Sequence, residues 1–263
     1  MSAGKINHRF PVVALHCSGA SGAQWDGLRA VVGGDAPILT PDLIGLPSRG
    51  HWQGKGPFHF ADEAEEIIAQ MEALNAPAHI VAHSYGAATG LHIARKRPEL
   101  VRSLCLYEPT LFSILRVSNR RDRGLFDEIA ALVEKIEERQ SASDLFHMCE
   151  LFTDFWSGSG AWEALHAARQ SELMAWTPKV LLDFHALMFE PEPESIVQRG
   201  HPITLMVGAE THAQTSRIGV LLAAQGENVE LVMIPGAGHL EPFAKRPFVM
   251  EHILAHILRV EDC

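Results

Sequence analysis

The sequence lacks a surplus of positive charge: 22 Lys and Arg stand against 32 Asp and Glu, a formal net charge of -10. A surface of that sign repels phosphate backbones and anionic lipid, which leaves nucleic acid and membranes as poor partners and a neutral or apolar small molecule as a better one. Cysteine is scarce as well. Cys17, Cys105, Cys149 and Cys263 are scattered without a CxxC pair, so neither a cysteine zinc site nor a disulfide framework is expected, only buried free thiols. No stretch approaches the ~20 apolar residues of a membrane span. Met1 to Arg9 is polar and lacks the apolar core of a signal peptide, so a cytoplasmic location is expected. Internal repeats and low-complexity tracts are missing too. What remains is an ordinary globular balance, 47% hydrophobic and 21% charged, on 263 residues, enough for one core with an insertion.

Short apolar, β-branched runs alternate with helical patterns, the order of βαβ units in a parallel sheet. Strands are expected at Phe10–Leu15, Pro37–Thr40, His79–Ala82, Val101–Tyr107, Ile203–Val207 and Val229–Ile234, mostly apolar on both faces. Helices are expected near Gln24–Val32, Ala61–Leu74, Tyr85–Lys96, Thr215–Gln225 and Pro247–Leu258. The fold class is therefore α/β, doubly wound around a mostly parallel sheet. Between Pro109 and about Arg199 the alternation stops and helical periodicity takes over. Leu125, Ile129, Leu132, Val133 and Ile136 share one helix face, and Thr177-Pro178 reads as a helix start leading into Val180, Leu181, Phe184, Leu187 and Met188. This gives a core of residues 1–109 and 200–263 with a helical lid over 110–199. The lid holds Trp156, Trp162, Trp176, Phe152, Phe155 and Met174, which face a substrate or pack the lid itself.

Four segments carry chemistry. AHIVAHSYGAATGLHIA, Ala78 to Ala94, runs from a buried strand through Ala82-His83-Ser84-Tyr85-Gly86 into an apolar helix, close to the GxSxG nucleophile elbow with Ala82 at its first glycine. Taken alone, Ser84 reads equally as a helix N-cap. The others are LHCSGASGAQW after the first strand, PDLIGLPSRG at Pro41–Gly50, and PGAGHLEPF, where a glycine loop carries His239 after the last strand. An imidazole with a pKa near 6.5 is suited to take a serine proton at neutral pH and return it. His252 and His256, four apart on the last helix, have metal-ligand spacing, but without HExxH an exposed helix face is expected and no metal is assigned.

Together these segments resemble the α/β-hydrolase superfamily over nearly the whole chain. The resemblance implies a lid-bearing, cofactor-free hydrolase in which Ser84 is the nucleophile, His239 its base, and the backbone N–H groups of Ser18 and Tyr85 the oxyanion donors. Cys17 stands where the oxyanion loop usually has glycine, and Pro47 replaces a glycine of the DLxGxGxS loop. The usual acid position, in a GxxD pattern, holds Thr211. Glu108, closing the strand VRSLCLYEP, is the preferred substitute, since some lipases and haloalkane dehalogenases of the superfamily carry their acid there. Glu210 is the second choice, and a site with no acid partner the third. The few residues before Leu15 leave no room for the family's leading antiparallel hairpin, so the sheet is expected to be short at that edge. The expected reaction is hydrolysis of a small hydrophobic ester or amide through an acyl-enzyme. Carbon–carbon hydrolysis and perhydrolase or haloperoxidase-like activity use the same machinery, and a non-catalytic small-molecule receptor is the alternative from another class. A homo-oligomer is compatible with the sequence.

Overall fold

A computed structural model of the chain describes residues 6–33, 36–191, 197, 200–240 and 247–261. In chain order the elements are β1 (Ile6–Asn7), β2 (Val12–Leu15), α1 (Asp26–Val31), β3 (Val32–Gly33), β4 (Ile38–Leu39), α2 (Phe60–Glu72), β5 (Ala78–His83), α3 (Tyr85–Lys96) and β6 (Val101–Tyr107). Then come α4 (Ser113–Val117), α5 (Arg120–Ser141), α6 (Leu145–Ser157), α7 (Ala161–Ala164), α8 (Ala167–Trp176) and α9 (Val180–Phe189). The chain returns through β7 (Ile203–Gly208), α10 (Ala213–Ala223), β8 (Val229–Ile234) and α11 (Pro247–Glu261). Local chemistry marks several starts. The Asn119 side chain accepts from the Arg121 and Asp122 N–H groups at the head of α5, and Asp62 reaches back to the His59 N–H at the head of α2.

Among the described residues the main sheet has six strands in the order β4-β2-β5-β6-β7-β8, and every described pairing is parallel. The expected strands are all present, β6 and β8 with the expected bounds. Two short strands were not foreseen: β1 and β3 pair in a separate two-stranded parallel ribbon, because Val32 leaves α1 extended rather than helical. The sheet's β4 edge is only two residues long.

Side chains alternate between the two faces of the sheet. Val13, Leu15, Ile80, Ala82, Leu104, Leu106 and Leu205 join one core with α2, α3, α10 and the helices between β6 and β7. Val12, Ala14, Val81, Cys105 and Met206 face the other way, against Trp25, Leu28 and the apolar side of α11. β2, β5 and β7 are buried along their whole length, as a sheet covered on both faces requires. Cys17, Cys105 and Cys149 are free and buried; Cys263 lies outside the described residues.

A polar seam fixes α11 to the sheet and corrects one expectation. His256 does not face solvent: it is 2% exposed, with Nε2 2.8 Å from Ser103 Oγ and Nδ1 2.9 Å from Thr204 Oγ1. The Ser103 hydroxyl also meets His79 Nδ1 at 2.7 Å, so two imidazoles share one hydroxyl inside the protein. His252, one turn earlier, is half-buried. The reason is that the helix buries the stripe Val249, Ile253, Ile257, and position 256 falls beside it.

Burial lowers the pKa of His256 to about 3 and that of His16 to about 4, and it lowers His79 and His83 as well. A histidine that stays neutral in the folded chain but protonates once unfolded contributes stability above the unfolded pKa near 6.5, and that stability is lost as pH falls. Asp183, which burial pushes up to about 6, works partly in the opposite direction. Unfolding free energy should therefore fall between pH 7 and 5. His256→Gln, which keeps hydrogen-bonding capacity without titrating, should reduce that fall by about 2 kcal/mol in urea titrations at the two pH values. An identical fall in both proteins would show that His256 protonates equally well in the folded chain.

Candidate active site

Strand order reverses between β2 and β5: from β2 the chain steps outward to β4, then returns to the other side of β2 and continues outward through β8. At such a reversal the loops leaving neighbouring strands part and open a crevice beyond their carboxyl ends. The loop after β2 brings Cys17 and Ser18 to this crevice, and the turn after β5 brings Ser84.

Ser84 has φ 55° and ψ -119°, a conformation that costs a non-glycine residue on the order of 1–3 kcal/mol. The surroundings impose it. Ser84 donates its N–H to the Tyr107 carbonyl at 3.0 Å, and its own carbonyl accepts from Ala88 at 3.1 Å, so strand and helix fix both sides of the turn. Gly86 must be glycine, because a Cβ there would lie 2.4 Å from the His16 carbonyl oxygen. Although Ser84 sits at the N-cap position of α3, its side chain makes no capping bond. The hydroxyl instead lies 2.9 Å from His239 Nε2, with Thr110 Oγ1 at 3.5 Å.

The other imidazole nitrogen, His239 Nδ1, is 2.6 Å from Glu108 Oε2. Glu108 is fully buried and also has positive φ, 46°. Its carboxylate accepts the Gly208 N–H at 2.7 Å and the Thr211 hydroxyl at 2.8 Å. Thr211, which cannot itself be an acid, thus donates to the carboxylate that closes the neighbouring strand. Glu210 is exposed, and only its main chain joins the loop, through an N–H to the Ala237 carbonyl at 2.9 Å. The His239 loop is held by Tyr107, whose hydroxyl donates to the Gly238 carbonyl at 2.8 Å, and by His83, whose Nε2 is 3.0 Å from the His239 carbonyl. Trp156 stacks on the His239 ring at 3.9 Å and 24°, which limits the ways the imidazole can turn.

Ser18 and Ser84 line the same cavity, and Tyr85 is the first residue of α3, where a helix N–H has no intrahelical acceptor. The neighbouring Cys17 N–H is taken by Gln24 Oε1 at 3.0 Å. Burial pushes the Cys17 thiol up to about 12, so it offers no competing thiolate. Phe152, Trp156, Val180, Phe184 and Leu187 give the cavity an apolar wall, and the space between them holds little more than one water molecule. Of the aromatics expected to meet a substrate, Phe152 and Trp156 line this cavity. Phe155 stacks on His212 at 4.6 Å, Trp162 is fully buried, and Trp176 packs on Phe152 at 5.2 Å.

Reading the sequence missed Asp183 and Lys179. Asp183 lines the cavity and accepts the Ser18 hydroxyl at 2.6 Å, and Lys179 pairs with Asp183 and, at 2.8 Å, with Glu63. The available signal was a Lys and an Asp four residues apart inside the apolar run TPKVLLDFHALMF, spacing that puts them side by side on a helix with nowhere to reach water.

A profile of the alpha/beta hydrolase family matches residues 12–250. The chain is 35% identical over 95 residues to a pimeloyl-[acyl-carrier protein] methyl ester esterase of Neisseria meningitidis, a match covering 36% of this chain and 34% of that protein. It is 31% identical over 98 residues to a haloalkane dehalogenase of Bradyrhizobium diazoefficiens, covering 37% and 31% of the two chains. The chain thus spans only about a third of the length of these curated relatives. Over its whole length it resembles the crystal structure of a hydrolase from Pseudomonas aeruginosa PA01, with a TM-score of 0.70, 18% identity, and 97% and 91% of the two chains covered. That last likeness concerns the fold.

The two candidate acids separate by mutation. Glu108→Gln keeps the side-chain volume but offers the imidazole the wrong partner, and should lower turnover of p-nitrophenyl butyrate by about 10³–10⁴-fold. Glu210→Gln should stay within about twofold of the parent, as expected for an exposed carboxylate that touches no reacting group. A rate for Glu108→Gln within about twofold of the parent, in protein shown to be folded by circular dichroism, would deny Glu108 the role of acid.

Proposed function

Because the chain belongs to the alpha/beta hydrolase family, we propose that it is a serine hydrolase that opens small, largely hydrophobic esters through an acyl-enzyme at Ser84. The observation that carries this reading is the unbroken line from Ser84 Oγ through both nitrogens of His239 to Glu108, 2.9 Å and 2.6 Å, built on a nucleophile held at positive φ.

Each step follows from that line. His239 Nε2 takes the Ser84 proton as Oγ attacks the ester carbonyl, and Glu108 holds the proton on Nδ1 and balances the imidazolium that forms. The Ser18 and Tyr85 N–H groups receive the oxyanion, a contribution of about 10²–10³-fold in rate for each donor. His239 then protonates the departing alkoxide. Water enters, loses a proton to the same nitrogen and attacks the acyl carbon, releasing the carboxylic acid and restoring Ser84. No step calls for a cofactor. Residues 110–199 act as a cap, since they supply Phe152, Trp156, Val180, Phe184 and Leu187 to the wall over the nucleophile. The narrowness of the space favours a small acyl group. A serine at position 84 supports ester chemistry over halide displacement, which relies on an aspartate nucleophile in dehalogenases of this fold.

Ser84→Ala should cut hydrolysis of p-nitrophenyl butyrate by at least about 10⁴-fold and abolish labelling by a fluorophosphonate. Undiminished labelling of the alanine variant would overturn the assignment. A wild-type chain that binds such esters and never consumes them would mark a receptor.

A further inference from the structure

The residues proposed to supply the two oxyanion donors, Ser18 and Tyr85, are joined to each other by their side chains through buried charges. The Ser18 hydroxyl donates to Asp183 Oδ2 at 2.6 Å, and the Lys179 ammonium donates to Asp183 Oδ1 and, at 2.8 Å, to Glu63 Oε2. The Tyr85 hydroxyl donates to the same Glu63 oxygen at 3.2 Å. The remaining Glu63 oxygen accepts the Ile44 N–H at 2.9 Å. Glu63 and Tyr85 are fully buried, and Lys179 and Asp183 are exposed by only 2% and 3%.

We propose that this chain, Ser18–Asp183–Lys179–Glu63–Tyr85, is a clamp that sets the spacing between the two oxyanion N–H groups, with Asp183 and Lys179 as positioning residues. The inference rests on the hydrolase reading above.

Three observations carry it. First, stability gives poor reason for the network: a buried ion cluster loses so much hydration that apolar side chains of similar volume often stabilise as well or better. Here two carboxylates share one ammonium. Burial pushes the Asp183 carboxyl up to about 6 despite the nearby Lys179; for Lys179 burial acts to lower the pKa, but the two carboxylates outweigh it and raise it. Second, the surroundings are shaped to hold the lysine. Its ammonium lies 4.7 Å and 4.6 Å from the ring centres of Phe58 and Tyr85, and Gly45, at φ 96°, leaves room for its stem where a Cβ would come within 2.9 Å. Third, the two donors differ in how firmly they are placed. Tyr85 is fixed by α3, whereas Ser18 follows β2 on a loop and is half-buried, so its side-chain anchor decides where its N–H points. That anchor comes from α9, so the segment between β6 and β7 helps assemble the chemistry as well as cover it.

Preorganised donors lose their worth quickly when displaced, so the clamp should act on acylation and leave ground-state binding alone. Ser18→Ala removes the hydroxyl but keeps the N–H, and Asp183→Asn removes the acceptor's charge. Each should slow acylation by p-nitrophenyl butyrate about tenfold with KM within about twofold, and each should weaken a trifluoromethyl ketone, which forms a tetrahedral adduct on Ser84, by the same factor. Because both changes cut one link, the double variant should be no slower than the worse single one. Ser18→Thr, which keeps the hydroxyl, should restore most of the rate. Ser18→Ala leaves the ion cluster whole and carries the test alone if Asp183→Asn does not fold. Acylation within about twofold of wild type in Ser18→Ala, or single losses that multiply to about a hundredfold in the double variant, would overturn the clamp while leaving the hydrolase intact. A wild type that neither labels with fluorophosphonate nor turns over esters would remove the hydrolase reading and the clamp together.

Discussion

An imidazole does directed proton chemistry only when each of its nitrogens has a fixed partner, and the groups around His239 meet that condition. One nitrogen meets Ser84 and the other Glu108. The ring is covered by Trp156, and the backbone around it is tied down by Tyr107 and His83. The long separation in sequence between these groups is why a complete sheet is needed to bring them together.

Ser84 and Glu108 both hold positive φ without being glycine, and each directly follows its strand. His83 and Tyr107 are partners in the β5–β6 register, so the serine and the glutamate leave the sheet from the same rung. The strand spacing of about 4.8 Å therefore brings the two turns close together before either side chain is placed. The surrounding hydrogen bonds hold both residues in conformations that an isolated chain would avoid.

The sheet and its flanking helices were legible in the sequence because buried parallel strands are short, apolar and punctuated, and the segments around Ser84 and His239 were legible because sharp turns need small residues. The acid was harder to read. Position 211 holds threonine, and the sequence offered two carboxylates in its place, Glu108 at the end of a recognised strand and Glu210 beside the usual position, with nothing local to decide between them. Other features left little trace. β1 and β3 are two residues each, too short for any periodicity, and their pairing depends on Val32 abandoning the helix. His256 looked exposed because helical spacing says which residues share a face and nothing about whether Ser103 and Thr204 wait on the other side. The Lys179–Asp183 pair sat in plain view, but its meaning came from Glu63 and Ser18, far away along the chain.

Thr211 and Glu108 converge on a single point, since the threonine hydroxyl rests 2.8 Å from the carboxylate oxygen that meets His239. Side chains leaving two neighbouring strands therefore meet at one oxygen, the threonine hydroxyl and the imidazole both bonded to it. A change of side chain at 211 would therefore be felt at the imidazole through Glu108, without any direct contact between the two.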